Sequence, residues 1–323
     1  KIEAIILDKN YEIKTKIGGE VGKRIYCKTA VEDYINHVVS VAEVRFDGLN
    51  IAIDTANGSA SVCAKEIFTR LGAKCHMLSD TPNGVNINLN CGSTHPEELM
   101  AFVKANKLDL GVAFDGDADR MLAVDENGNL VDGDKIIAIC AAQMKQDGKL
   151  AKNTAVVTVM SNMGFFKFCE ENDIKCAKTA VGDRYVLERM LQKGYNIGGE
   201  QSGHVIFLDY ATTGDGELSA VKLIETVVKS GATLGSLAKI MTVYPQVLIN
   251  VPVTSQGKLK YNNDEYIISA VQEAEMDLNG DGRVLVRVSG TEPLVRVMLE
   301  GKNIEQITKL GNQIAEVVKE RLS

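Results

Sequence analysis

No run of eighteen apolar residues occurs in the 323-residue chain, so the pattern of a membrane-spanning helix is missing. The first residues, Lys1-Ile2-Glu3-Ala4-Ile5-Ile6-Leu7-Asp8, lack the long apolar stretch and cleavage site of a secretory leader. They also lack an initiator methionine and open in mid-pattern, so the chain is expected to be cut from a longer one. Cysteine pairing is missing too: the seven cysteines, an odd number, include no C-x-x-C pair. Cys63, Cys75, Cys140 and Cys169 sit inside apolar runs, where free cysteine packs as a small hydrophobe. This argues against a disulfide framework or a zinc site, and a reducing cytoplasm is the expected location. A basic excess is also absent. The net charge is −7, whereas nucleic-acid binding ordinarily leaves a basic footprint. A small phosphorylated ligand stays open, because it needs only a local cluster of cations.

What is present is ordinary globular material, 45% apolar and 24% charged. Two stretches about a hundred residues apart share one layout. The first reads Leu49-Asn50-Ile51-Ala52-Ile53-Asp54, then Asn57-Gly58, a helical run through Ala64–Phe68, and Leu71-Gly72-Ala73-Lys74-Cys75. The second reads Ala155-Val156-Val157-Thr158-Val159, then Asn162-Met163-Gly164, a helical run through Phe165–Phe168, and Asp173-Ile174-Lys175-Cys176. Strand, glycine-bearing turn, helix and strand make an α/β unit, and its recurrence predicts two related α/β domains. Chance likeness between two such units is the alternative. Val243-Tyr244-Pro245-Gln246 marks a break. Beyond it come a strand (Val247–Val251), a helix near 263–276, two more strands and a final helix. Asn303 caps that last helix, with Gln306 at the capping-box position. Its Ile304, Ile307, Leu310, Ile314, Val317 and Val318 line one face.

Three loops could carry chemistry. Asp115-Gly116-Asp117-Ala118-Asp119-Arg120 follows the buried-strand pattern Leu108–Phe114. Three carboxylates at alternate positions suit a hard cation such as Mg²⁺ and leave places for a phosphate oxygen. Arg120 offers a planar fork of donors to a phosphoryl group. A calcium loop is the first alternative: Asp115, Asp117, Asp119 and Glu126 fall at its positions 1, 3, 5 and 12. It fails at position 6, where Arg120 replaces glycine, and because a strand precedes it. A solvated acidic turn is the other alternative. The second loop, Gly198-Gly199-Glu200-Gln201-Ser202-Gly203-His204, presents an acceptor, a hydroxyl and an imidazole suited to sugar hydroxyls, although plain turns share this composition. In the third, Arg287-Val288-Ser289-Gly290-Thr291-Glu292-Pro293-Leu294-Val295-Arg296, hydroxyls, backbone amides and two arginines form an anion nest.

Two other stretches are set aside. Asp277-Leu278-Asn279-Gly280-Asp281-Gly282 begins like a calcium loop but has Val288 at its twelfth position, so a tight turn is predicted. Ser93-Thr94-His95-Pro96 places a serine near a histidine, yet Pro96-Glu97-Glu98 reads as the first turn of a helix.

With the three loops in this order, the chain resembles the α-D-phosphohexomutase superfamily over essentially all 323 residues. In that family an N-terminal domain carries a phosphoserine, and three further domains supply a metal loop, a sugar loop and a phosphate loop. The resemblance implies that Asp115, Asp117 and Asp119 bind magnesium and that Arg120 offsets charge on the moving phosphoryl. It makes Glu200 and Ser202 ligands of sugar hydroxyls, with His204 beside them. Arg287, Ser289, Gly290, Thr291 and Arg296 become the phosphate loop. Within the superfamily, Cys91–His95, D-G-D-A-D-R, Val181-Gly182-Asp183-Arg184-Tyr185, G-G-E-Q-S-G-H, Thr212–Gly216 and R-V-S-G-T-E-P resemble the phosphoglucosamine mutase branch. Phosphoglucomutase or phosphomannomutase is the runner-up, and a non-catalytic sugar-phosphate-binding remnant is the non-enzyme reading.

The implied fold is α/β: two related α/β domains with mixed sheets, followed by a smaller α+β C-terminal domain. The expected divisions are 1–29 (tail of an N-terminal domain), 30–132, 133–242 and 243–323. The implied reaction interconverts glucosamine 6-phosphate and glucosamine 1-phosphate through a phosphoserine and a 1,6-bisphosphate. It belongs to the isomerase class and feeds UDP-N-acetylglucosamine and cell-wall precursor synthesis. Expected partners are the hexosamine phosphate and its bisphosphate, without nucleic acid or membrane, and a homodimer is left open. The chain departs from the pattern in one respect. No S-x-S-H-N-P-type segment, where the family keeps its serine, occurs among these residues, so they are expected to be inactive alone.

Overall fold

Three sheets, each sided by helices, organise the chain in the computed structural model, which describes residues 2–8, 11–12, 14–289 and 292–323. The first sheet is built from β1 (Asn50–Asp54), β2 (Lys74–Leu78), β3 (Leu110–Phe114), β4 (Met121–Asp125) and β5 (Leu130–Val131), in the order β2-β1-β3-β4-β5. The second uses β6 (Thr154–Thr158), β7 (Lys175–Thr179), β8 (Ile197–Gly199) and β9 (Val205–Phe207), in the order β7-β6-β8-β9. In both, the first three strands are parallel and the fourth turns back antiparallel. The repeat read from residues 49–75 and 155–176 is thus one topology used twice. β3, buried at every position, carries Leu, Val, Ala and Phe with no polar alternation, as a strand covered on both faces must.

One apolar core runs through both sheets rather than stopping between them. It includes Ile51, Ile53 and Phe114 from the first, Val157 and Phe165 from the second, and Ile136, Ile137 and Ile224 from the helices Gly133–Gln146 and Gly216–Ser230. Tyr34, from the helix Ala30–Ser40, adds a polar clasp. Its hydroxyl lies 2.9 Å from Asp215 Oδ1 and 2.7 Å from Glu217 Oε2, at the start of Gly216–Ser230.

The third sheet comprises β10 (Gln246–Pro252), β11 (Gly282–Val288) and β12 (Leu294–Gly301), all antiparallel in the order β10-β12-β11. One face, with Val295, Val297 and Leu299, packs on the helices Glu265–Leu278 and Ile304–Leu322 in a separate core. Asn303 caps the last helix through the Glu305 and Gln306 amides. Gln306 does not return the bond; its amide reaches the Asp277 carbonyl, so the expected capping box is half made. The tight turn after Leu278 is formed by Asn279 and Gly280, both at positive φ.

This third unit is fastened to the second at a buried polar junction. Glu300, fully buried, accepts from Arg283 Nε (2.6 Å), the Met163 amide (2.8 Å) and Asn162 Nδ2 (3.3 Å). Asn162 also exchanges bonds with the Tyr244 main chain. Beneath it, Asp134 accepts the Asn162 amide with one oxygen while its other oxygen and the Ser161 hydroxyl lack partners. Burial, then the Asp132 charge, pushes the Asp134 pKa up to about 7. The fold therefore holds a proton that the unfolded chain releases, and this contribution to stability declines as pH rises from about 4 to about 7. Asp134→Asn, which keeps the acceptor and cannot ionise, should melt closest to the parent at or below about pH 4, where both states of the parent hold the proton. At pH 8 it should melt higher, by on the order of 5 °C. Parallel melting curves at all pH values would show that Asp134 carries no such penalty.

Candidate functional site

The acidic loop leaves the sheet where β3 ends and must reverse within six residues to enter β4. Ala118 takes a left-handed φ of 60° to do so, a conformation a non-glycine residue holds only when its surroundings fix it. Here its carbonyl accepts the Gly216 amide at 2.9 Å. Ligand atoms of Asp115, Asp117 and Asp119 come within 4.8 Å of one another. Asp115 is buried, Asp119 half-buried and Asp117 exposed, so the cluster opens to one side. Burial raises the Asp115 pKa to about 6, and the charges of Asp119 and Asp117 add to it, against the Arg120 amide, which lowers it. Asp119 Oδ1 is buried with no hydrogen-bond partner. Converging carboxylates, one with an orphaned oxygen, fit a divalent cation, and the shortage of protein oxygens suits Mg²⁺, which keeps waters or phosphate oxygens as ligands. Arg120, nearly half exposed, holds its Nε 3.8 Å from both Asp115 and Asp119. A cavity of about 370 Å³, lined in part by Ser59 and Thr213, adjoins Asp117 and Asp119.

The sugar loop, between β8 and β9, lies directly on the acidic loop. The Met121 amide donates to the Gly203 carbonyl. Gly203 has φ +97° and approaches the Met121 carbonyl so closely that a Cβ would sit 2.4 Å from it. Glycine is required there on both counts. Glu200 is half-buried and accepts the Gly182 amide at 3.0 Å; Ser202 is exposed.

His204 departs from the expected role as a ligand beside the sugar hydroxyls. It is buried and both ring nitrogens are engaged. The Gly214 amide donates to Nε2 (3.1 Å), which leaves the proton on Nδ1 to donate to Asp119 Oδ2 (3.0 Å). A Cβ at Gly214 would lie 2.5 Å from the ring. The histidine thus orients an acidic-loop carboxylate, the work an outer-shell partner does at metal centres. Neither Gly214 nor Gly182 was singled out by sequence chemistry, although both lie in the T-T-G-D-G and V-G-D-R-Y stretches.

The phosphate loop joins β11 to β12. Arg287 and Arg296 are directly paired across these strands, a placement that is unfavourable for like charges unless something lies between them. Burial, then the Arg296 charge, lowers the Arg287 pKa. Arg296 Nη2 meets Glu292 at 2.8 Å while its buried Nε has no partner. Ser289 is buried, its amide on the Leu294 carbonyl and its hydroxyl accepting the Glu292 amide. Gly290 and Thr291 lie outside the described residues. On the same sheet face, four residues back along β11 and on along β12, stand Arg283 and Glu300 of the junction. The arginine pair is therefore carried about 13 Å from that fixed point. The first two loops touch; among the described residues, no hydrogen bond or ion pair joins the third to either.

Sequence comparison places this geometry in a class. Residues 32–128 match phosphoglucomutase/phosphomannomutase alpha/beta/alpha domain II, 132–244 match its alpha/beta/alpha domain III, and 248–317 match its C-terminal domain. The fold and the order of its parts are those of a phosphohexomutase. Phosphoglucosamine mutase of Clostridium novyi is 50% identical over 317 residues, 98% of this chain and 71% of that protein. That of Brevibacillus brevis is 52% identical over 305 residues, 94% and 68% of the two chains. The chain belongs to the phosphoglucosamine mutase family. Among solved structures, a phosphoglucomutase/phosphomannomutase family protein from Burkholderia thailandensis aligns with a TM-score of 0.77 at 19% identity, over 100% of this chain and 70% of that one. Aspergillus fumigatus N-acetylphosphoglucosamine mutase, in complex with GlcNAc-6P and magnesium, aligns at 0.73 and 20% over 91% of this chain. This chain spans 65% of the fungal protein's length, a little under two thirds.

Proposed function

We propose that residues 1–323 form the metal, sugar and phosphate sites of a phosphoglucosamine mutase, which interconverts glucosamine 6-phosphate and glucosamine 1-phosphate. The observation that carries this reading is the direct seating of the sugar loop on the acidic loop through His204 and Asp119, with an arginine pair held on the adjoining unit. Asp115, Asp117 and Asp119 would hold Mg²⁺. When bound, the cation would offset negative charge on a phosphoryl group, the main requirement of phosphoryl transfer. Arg120, with its guanidinium beside two of these carboxylates, would donate to a phosphoryl oxygen. Glu200 and Ser202 would hold hydroxyls that both sugar orientations share.

The phosphate loop would anchor whichever phosphate is not reacting, and its facing arginines, which suit an anion at either end of the sugar, support this. Moving a phosphate from O6 to O1 needs a covalent or bisphosphate carrier. In this family that carrier is a phosphoserine, and no serine among residues 1–323 lies in its S-x-S-H-N-P context. We assign the sites to units spanning 30–132, 133–242 and 243–323.

The test is an assay of a polypeptide that carries an S-x-S-H-N-P segment ahead of these residues. Magnesium-dependent formation of glucosamine 1-phosphate, faster than the corresponding reaction of glucose 6-phosphate, is the expected result. A preference for glucose or mannose phosphates would transfer the chain to the runner-up activity.

A further inference from the structure

The phosphate loop is braced from outside by a lysine of another element. Lys258 lies on the helix Ser255–Lys260, where Thr254 caps by accepting the Gly257 amide. The Thr254 hydroxyl also bonds the Leu322 carbonyl, tying the helix to the end of Ile304–Leu322. From this mount the half-buried Lys258 donates through Nζ to the main-chain carbonyls of Ser289 (2.6 Å) and Glu292 (3.0 Å). Those carbonyls bracket residues 290 and 291. Among the described residues, no carboxylate stands within ion-pair distance of Lys258.

An ammonium held on two carbonyls with no counter-ion is more than closing a loop requires. A neutral amide would satisfy the same carbonyls. The charge adds to those the loop itself carries. Arg287 has no acceptor among the described residues, and Arg296 shares Glu292. Three cations against one carboxylate leave an excess of two positive charges, which matches a phosphate monoester whose second pKa is about 6.

We propose that Lys258 is a positioning residue for the phosphate end of the substrate. It draws the loop carbonyls, whose negative ends would repel an anion, onto itself, and it supplies the second uncompensated positive charge. The identity of the sugar rests on the phosphoglucosamine mutase reading; the phosphate site does not.

Calorimetry on residues 1–323 and the variants Lys258→Gln, Lys258→Met and Lys258→Arg tests this, using glucosamine 6-phosphate, inorganic phosphate and neutral glucosamine as probes. Glutamine keeps a donor for the carbonyls without the charge, so it separates the two roles. Lys258→Gln and Lys258→Met should weaken both phosphates by about tenfold, Lys258→Arg by no more than about threefold, as expected when one positive charge near the anion is removed or kept. Glucosamine should bind all four proteins alike, and the melting temperature of Lys258→Gln should match the parent. Unchanged phosphate affinity in Lys258→Gln overturns the proposal, including the case where Lys258→Met fails to fold. If the parent binds inorganic phosphate in a Lys258-dependent way but rejects glucosamine 6-phosphate, the sugar reading falls and this assignment stands. If the parent binds neither, both fall.

Discussion

Asp115→Asn, Asp117→Asn and Asp119→Asn should each weaken magnesium binding by about a hundredfold. That loss, about 2.7 kcal/mol, is less than the roughly 4 kcal/mol by which two unit charges about 4 Å apart interact in a protein-like dielectric. Among the described residues the site gathers three carboxylates within 4.8 Å, so none is spare. The variants should also differ among themselves in a way that a plain acidic turn would not produce. Asp115 is buried and its pKa is raised by burial and by its two acidic neighbours, so the metal-free fold is penalised for keeping it ionised. Asp115→Asn keeps an oxygen for the Arg120 amide, which Asp115 Oδ1 accepts at 3.2 Å, and removes that penalty. The variant should melt higher than the parent in chelator and lower than the parent in saturating magnesium. Titration calorimetry and melting curves with and without metal check both halves. Unchanged magnesium affinity in all three variants would reduce the loop to a solvated turn.

Arg287→Ala should lower affinity for glucosamine 6-phosphate by about ten- to a hundredfold, the range given by losing one charge-assisted hydrogen bond of roughly 1.5–3 kcal/mol. Neutral glucosamine should bind variant and parent equally, since the loop is assigned to phosphate alone. The stability of the ligand-free protein should move the other way. Arg287 faces Arg296 directly across the sheet, and its pKa is lowered by burial and by that neighbour. Removing it relieves a repulsion that Glu292, paired with Arg296, offsets only in part and that a bound anion would offset further. Arg287→Ala should therefore melt no lower than the parent without ligand and gain less from added phosphate. A variant that binds glucosamine 6-phosphate as tightly as the parent would make this loop a simple hairpin connection.

Much of this architecture was legible in the chain because it rests on local pattern. The acidic loop declares itself through three aspartates at alternate positions behind an all-apolar strand. The strand, turn, helix and strand of residues 49–75 and 155–176 carried the repeated topology. What escaped depends on pairs distant in sequence. His204 reads as a sugar ligand in G-G-E-Q-S-G-H; only the fold brings it to Asp119, 85 positions away, and seats Gly214 on its other nitrogen. Glu300 and Asn162, 138 positions apart, form the junction that sets where the phosphate loop sits; Asn162 reads only as part of a glycine-bearing turn, and Glu300 lies in none of the stretches read above. Lys258 stands in Lys258-Leu259-Lys260, which reads as a solvated turn of helix, and its carbonyl partners lie beyond position 288. The shared core of the first two units was hidden for the same reason, since the helices that bridge them look like ordinary amphipathic helices.

The central claim is that the three loops make one site that accepts the hexosamine phosphate in either orientation. Competition calorimetry on residues 1–323 in saturating magnesium measures this directly, with glucosamine 6-phosphate titrated in the presence and absence of glucosamine 1-phosphate. The account expects one molecule bound per chain, mutual exclusion of the two isomers, and the same weakening of both by Arg287→Ala. Independent binding of the two isomers, or loss of only one of them in Arg287→Ala, would contradict it.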